Sequence, residues 1–215
     1  MNHLRHHIIF DLDGTIIDSK KEILETYQIV FNEIKPEHAP SLERLNYGAT
    51  IHDVLKSVYG NDFVSIQKAK AHFSFIYDHS NFMKTNLYER VEETLIYLKK
   101  MNCQLYIATN KRFVPTSRIL LKKNLAHYFS DVMANEIQPN VTMTKQKMIL
   151  NLMVKHTFSD GFMVGDSLSD IVAGNDQKLK TIAVTYGYEN SDIFVAQNPT
   201  FIINSFEEII KVLRR

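Results

Sequence analysis

Two aspartates one residue apart, Asp11 and Asp13, follow the short apolar run His7-Ile8-Ile9-Phe10. A short apolar run that closes in a turn signal is typical of a strand buried on both faces of a parallel sheet. Side chains at i and i+2 of a strand share a face, so both carboxylates are expected to enter one cleft. Carboxylates repel each other, so the pair predicts a nearby cation or a shared proton. The alternative is a capped strand with two solvated acids.

Polar groups of other kinds follow two later strands and open one helix. They are Thr109 and Asn110 after a strand at 104–108, Asp166 and Ser167 after a strand at 161–165, and Lys145 in a helix's first turn. Ligands of open parallel sheets bind beyond the carboxyl ends of the strands, where these groups are expected to converge. Oxygen ligands without a Cys or His cluster favour Mg²⁺ over Zn²⁺. Hydroxyl and ammonium donors suit a transferring phosphoryl group, and a carboxylate can attack phosphorus.

The order of the predicted elements indicates an α/β fold with a doubly wound, Rossmann-like parallel sheet, because strands and helices alternate after residue 85. Between residues 17 and 85 the apolar spacing predicts helices only, the longest at about 62–83. We therefore predict a core domain formed by residues 1–16 and 86–215, with an all-helical domain inserted at 17–85.

The composition narrows the class of protein. The chain has 215 residues, a formal net charge of +1, 45% hydrophobic and 23% charged residues. Such a balance argues against a nucleic-acid or membrane-surface partner. The single cysteine, Cys103, excludes an internal disulfide and fits a reducing compartment, and no apolar stretch approaches a membrane span. We expect a cytoplasmic protein.

Three stretches resemble motifs of the haloacid dehalogenase-like superfamily. They are Asp11-Leu12-Asp13-Gly14-Thr15, Ala108-Thr109-Asn110 and Val164-Gly165-Asp166-Ser167-Leu168-Ser169-Asp170. Their order and spacing agree over essentially the whole chain, and the helical segment resembles the family's cap domain. The stretch Thr181–Tyr188 also resembles the phosphoglycolate phosphatase-like branch.

The resemblance implies a role for each candidate site residue and Mg²⁺ as the cofactor. By position, Asp11 is the nucleophile and a metal ligand; Asp13 binds metal through its backbone carbonyl and acts as acid, then base; Thr109, Asn110 and Lys145 bind the substrate phosphate; Asp166 ligates the metal; and Asp170 supports the metal or its waters.

Two positions depart from the family pattern. The lysine motif has no following proline, and Lys147 competes with Lys145 for the phosphate-binding role; its ordinary interpretation is a solvated helical lysine. Lys178 stands where relatives commonly end a helix with Gly, so a left-handed backbone there would cost about 1 kcal/mol.

The function that the resemblance implies is a Mg²⁺-dependent phosphatase acting on a small phosphorylated metabolite through an aspartyl-phosphate. A sugar phosphomutase of the β-phosphoglucomutase type and a pyrophosphatase are alternatives, although Gly14-Thr15 resembles the phosphatase form. A dehalogenase would need neither Asp13 nor a metal, and the intact acids argue against a catalytically silent binding protein. Both a monomer and a homodimer are compatible with the sequence.

Overall fold

The computed structural model describes residues 6–38, 40, 45, 49–136, 142–189, 194 and 197–214. The chain divides into two compact units, one formed by Met1–Asp18 with Leu87–Arg215 and the other by Ser19–Asn86. The role of the second unit as a cap domain stays a prediction.

The strands of the chain form one large parallel sheet and one small sheet. They are β1 (His7–Phe10), β2 (Ile17–Asp18), β3 (Asn86–Leu87), β4 (Gln104–Arg112), β5 (Asp131–Asn135), β6 (Phe162–Gly165), β7 (Lys180–Val184) and β8 (Phe201–Ile203). The large sheet has the order β5-β4-β1-β6-β7-β8 and every neighbouring pair is parallel, while β2 and β3 form a two-stranded sheet. The predicted α/β fold with a parallel sheet is confirmed.

Eight α-helices belong to the described part of the chain. They are α1 (Lys20–Ile34), α2 (Ile51–Tyr59), α3 (Phe63–Asp78), α4 (Val91–Lys100), α5 (Phe113–Lys122), α6 (Lys145–Lys155), α7 (Leu168–Asp176) and α8 (Glu208–Leu213). Short 3₁₀ turns lie at Pro36–His38 and Ala126–Tyr128. None of the helices in the described ranges combines the length and apolar character that crossing a membrane requires.

The centre of the larger unit is β1, which lies between β4 and β6. Ile8, Ile9 and Phe10 are fully buried, as the apolar run predicts for a strand covered on both faces. Ile9 belongs to one core cluster with Met148 and other buried residues of α6. This packing fixes α6 on the sheet, and α6 is the helix that begins at Lys145.

The smaller unit is held together by aromatic side chains of α1 and α3. The rings of Tyr27 and Phe73 lie 4.4 Å apart, and Phe73 stacks on Tyr77 with ring centroids 5.4 Å apart. The prediction that the long helix reaches residue 83 is wrong, because α3 ends at Asp78. Phe82 has a left-handed backbone with φ of 48°, which a helix cannot continue through, and its amide donates to the Ser80 hydroxyl.

The turn after α7 places a lysine in the left-handed region. Lys178 has φ of 59°, its amide donates to the Asn175 carbonyl, and the Leu179 amide donates to the Gly174 carbonyl. This pair of hydrogen bonds is a Schellman motif, which usually has Gly at the left-handed position. The turn therefore has its usual geometry, and Lys178 adopts a backbone conformation that is strained for a residue with a side chain.

We predict that Lys178→Gly raises the free energy of unfolding by about 0.5–1 kcal/mol, because glycine adopts this backbone without the Cβ clash. The Lys178 side chain is exposed, so its removal costs little packing. Chemical denaturation of both proteins measures the difference. Lys178→Ala is the matched control and should give no gain, since alanine keeps the Cβ; equal stabilisation by alanine would contradict the explanation.

Candidate active site

Three neighbouring strands bring their polar residues to one edge of the sheet. Asp11 directly follows β1, and its backbone amide donates to the Val164 carbonyl of β6 at 2.9 Å. Asp166 directly follows β6, and Thr109 lies in β4 on the other side of β1. All three are buried. The register of the sheet therefore carries these side chains into one region.

Lys145 reaches this region from the first turn of α6. Thr144 caps the helix by accepting a hydrogen bond from the Lys147 amide at 3.3 Å. The Lys145 ammonium lies 2.5 Å from Asp11 Oδ1 and 2.9 Å from Asp170 Oδ1, and it donates to the Ala108 carbonyl at 2.9 Å. The competing Lys147 is exposed on the same helix. The structure therefore places Lys145, of the two candidates, beside Asp11.

Asp166 is held by two neighbouring segments. Its Oδ2 accepts a hydrogen bond from the Tyr188 amide at 2.7 Å, and its Oδ1 accepts one from the Thr15 hydroxyl at 3.3 Å. Gly14 leaves room for this carboxylate, because a Cβ there would lie 2.0 Å from Asp166 Oδ2. Gly14 also has φ of 83°, which a side chain would strain.

Asp170 is fully buried, and one of its carboxylate oxygens caps the N-terminus of α7. Oδ2 accepts hydrogen bonds from the Ser167 amide at 3.1 Å and the Ser167 hydroxyl at 2.6 Å, forming a capping box. Oδ1 faces Lys145 but accepts no hydrogen bond of good geometry. A buried carboxylate oxygen in this condition has capacity left for a metal or a metal-bound water.

Asp11, Asp166 and Asp170 form a group that could hold a metal ion. Each offers one carboxylate oxygen, and these oxygens lie within 4.8 Å of one another. The donors are all oxygen, which suits a hard divalent cation. The residues present therefore fit a metal of the type predicted from the sequence.

The electrostatics of the group are dominated by burial. Burial raises the pKa of Asp11 to about 7 against the attraction of Lys145, and burial with the charges of Asp11 and Asp170 raises the pKa of Asp166 well above its usual range. For Lys145, burial alone would lower the pKa, but the two aspartates outweigh it and raise the pKa. Raised carboxyl pKa values mean that the folded, metal-free protein loses stability as the pH rises through them from the unfolded value near 4.

Asp13 lies next to this group and has a lysine of its own. The Lys111 ammonium is 3.0 Å from each of the two Asp13 carboxylate oxygens. The predicted phosphate-binding residues precede Lys111 in β4: Thr109 accepts from the Lys111 amide at 3.2 Å, and the half-buried Asn110 accepts through its carbonyl from the Asn135 side chain at 3.0 Å. The two aspartates of the first motif are thus paired with different lysines.

The sequence analysis missed Lys111 and Asn135. Lys111 follows Thr109 and Asn110 directly, and a further cation beside a predicted strand end was a usable signal. Asn135 is buried at the end of β5, where its Oδ1 also accepts from the Met143 amide at 2.8 Å. Nothing in its local sequence separates it from an ordinary strand end, because Asn110 lies 25 residues before it and Met143 lies 8 residues after it, beyond the strand.

Comparisons with known proteins agree with this architecture. The model of the haloacid dehalogenase-like hydrolase family matches residues 8–184. The chain is 30% identical to the phosphoglycolate phosphatase of Vibrio parahaemolyticus over 96% of its length and 95% of that protein, and 28% identical to that of Photobacterium profundum over the same shares. A solved structure titled as a predicted phosphatase from Clostridium acetobutylicum has a TM-score of 0.88 and 25% identity, covering 99% of this chain and 100% of that one.

We predict that Asp166→Asn stabilises the metal-free protein by about 1 kcal/mol, the size typical of a stabilising substitution. Asparagine keeps an acceptor for the Tyr188 amide and removes a carboxyl group that, on folding, must either stay charged beside Asp11 or take up a proton. Thermal unfolding at neutral pH measures the change. The same variant should lose the stabilisation that a divalent cation gives the parent protein, since a charged ligand is gone.

Asp13→Asn is the matched control for this prediction. It removes a carboxylate that is paired with Lys111, so it should leave stability unchanged or lower it. A loss of stability in Asp166→Asn, or an equal gain in Asp13→Asn, would contradict the assignment of repulsion to the buried group.

Proposed function

The chain belongs to the haloacid dehalogenase-like hydrolase family and is a phosphatase, and we propose that it hydrolyses a small phosphorylated metabolite through a phosphoryl intermediate on Asp11 with Mg²⁺ as cofactor. The observation that carries this proposal is the buried contact of Asp11 with Lys145 beside Asp166 and Asp170. A carboxylate oriented by an ammonium group, at the edge of an open sheet, is a suitable nucleophile toward phosphorus.

The balance of charge supports a divalent cation. Asp11, Asp13, Asp166 and Asp170 are four carboxylates, while Lys111 and Lys145 contribute two ammonium groups in contact with them. When all four carboxyl groups are ionised, two negative charges are left over within this group, which is the charge that one divalent cation neutralises. Asp11, Asp166 and Asp170 would hold the ion, with the backbone carbonyl of Asp13 as a further ligand. When bound, the cation supplies positive charge to the phosphoryl oxygens.

The proposed chemistry assigns one task to each side chain. A carboxylate oxygen of Asp11 forms a bond to phosphorus while the ester P–O bond breaks. The electron pair of the broken P–O bond leaves with the alcohol oxygen. Asp13 donates a proton to that oxygen and later takes one from the water that attacks the phosphoryl group. Thr109, Asn110 and Lys145 stabilise charge on the phosphoryl oxygens. Inorganic phosphate and free Asp11 result.

The relatives suggest which substrate to try first. Two proteins that resemble this chain over 95% of their own length are named phosphoglycolate phosphatases. We propose a phosphorylated small molecule of this kind, with 2-phosphoglycolate as the first candidate. A cytoplasmic location is part of the same proposal, since it rests on the composition and the single cysteine.

Phosphate release from a panel of phosphorylated metabolites tests the proposal. We expect release from at least one compound with Mg²⁺, its loss with a chelator, and a fall of about 10³-fold or more in Asp11→Asn. Asp160→Asn, an exposed aspartate of the same unit, is the control and should retain full activity.

Two results would contradict the proposal. Unchanged turnover in Asp11→Asn would remove Asp11 as the nucleophile. Conversion of a sugar phosphate to its isomer without net phosphate release would favour the phosphomutase alternative over hydrolysis.

A further inference from the structure

Strand β4 continues past the end of β1, whose last residue, Phe10, pairs with Ile107. It runs to Arg112, and its pairing with β5 changes register between Thr109 and Arg112. An irregularity of this kind bends a strand and redirects side chains, and such bulges are frequent beside active sites. Here the Asn135 side chain donates to the Asn110 carbonyl, and the Lys111 amide donates to the Thr109 hydroxyl. These two hydrogen bonds therefore hold the backbone of the irregular segment in place.

This segment delivers the Lys111 side chain to Asp13. The ammonium lies 3.0 Å from both carboxylate oxygens, and the two side chains are only 6% and 13% exposed. A carboxylate contacted through both oxygens has its rotation about the terminal bond fixed. The backbone of Asp13 is fixed separately, by a bridge to Ile17 and by the hydrogen bond from the Gly14 amide to the Ile17 carbonyl.

The two lysines of the site contact different carboxylates. Lys145 contacts Asp11 and Asp170, while Lys111 contacts Asp13. Lys145 thus orients the proposed nucleophile, and Lys111 orients the neighbour proposed to transfer the proton. Loss of either lysine should then affect a different part of the reaction.

We propose that Lys111 is a positioning residue that aims the Asp13 carboxylate at the oxygen of the leaving group. This inference rests on the proposed function and deepens it. Asp13 must hold a proton when the reaction begins; Lys111 then donates a hydrogen bond to its carbonyl oxygen, while its hydroxyl oxygen faces the leaving group. As Asp11 bonds to phosphorus and the ester P–O bond breaks, this proton passes to the departing oxygen. A carboxyl group that can rotate away from the leaving-group oxygen donates its proton less efficiently. Even a small misplacement of a reacting group lowers the reaction rate.

The dependence on the leaving group separates this role from a general structural one. An alkyl phosphate such as 2-phosphoglycolate releases a strongly basic oxygen and needs the proton, whereas 4-nitrophenyl phosphate releases a weakly basic one. We compare kcat/KM, because it covers only the steps up to departure of the leaving group. Lys111→Met should lower kcat/KM for the alkyl phosphate by about 100-fold, within the range of general acid catalysis. For 4-nitrophenyl phosphate the decrease should be about 3-fold or less.

Four further variants sharpen the test. Lys111→Arg can still contact both carboxylate oxygens and should recover most of the activity on the alkyl phosphate. Asp13→Asn should show the same selective loss as Lys111→Met, and the double variant should be no worse than Asp13→Asn alone. Lys147→Met removes an exposed lysine and should behave as the parent on both substrates.

Results that would overturn the role of Lys111 can be told apart from results that would overturn the phosphatase function. Equal losses on both substrates, or weaker inhibition by inorganic phosphate in Lys111→Met, would show that Lys111 binds the phosphoryl group and would overturn the inference. Loss of all activity in Asp11→Asn together with normal selectivity in Lys111→Met would overturn it while leaving the phosphatase intact.

A crystal structure of Lys111→Met tests the positioning without any turnover. The Asp13 carboxylate should leave its present orientation or occupy more than one. An unchanged, single orientation would overturn the inference whatever the protein hydrolyses.

Discussion

The site depends on holding like charges together where water is excluded. Asp11, Asp166 and Asp170 bring carboxylate oxygens within 4.8 Å of one another, and all three are buried. Lys145 contacts two of them but carries a single positive charge. The remaining repulsion between the carboxylates must be opposed by interactions elsewhere in the fold. The hydrogen bonds of β1 to β6, the capping of α7 by Ser167 and the amide of Tyr188 supply this restraint.

The same constraint explains why the arrangement suits phosphoryl transfer. Charges in a poorly solvated site interact more strongly than in water, so a cation and a phosphoryl group placed there gain more from each contact. The same arrangement lowers the stability of the fold when no cation is bound. Such a trade-off between activity and stability is common at active sites. Lys111 and Asp13 stand beside this group as a pair of opposite charge, so the Asp13 carboxylate has a counter-charge of its own.

Local patterns in the sequence were sufficient for the fold and for proposing part of the candidate site. The apolar run before Asp11 and the alternation of strands with helices predicted the parallel sheet, because burial on both faces demands continuous apolar residues. Lys111 and Asn135 were missed because their positions depend on the register change in β4 and on contacts between distant segments. The left-handed backbone of Phe82 likewise excludes a helix that continues to residue 83, and the helical spacing did not reveal it.

Identification of the phosphorylated residue during turnover is the sharpest test of Asp11 as the nucleophile. The protein is mixed with substrate and Mg²⁺, quenched with acid within the first turnover and digested for mass spectrometry. We expect a phosphoryl adduct on the peptide that contains Asp11, absent from Asp11→Asn and absent with chelator. An adduct on another residue, or phosphate release at full rate with no adduct at any time, would contradict it.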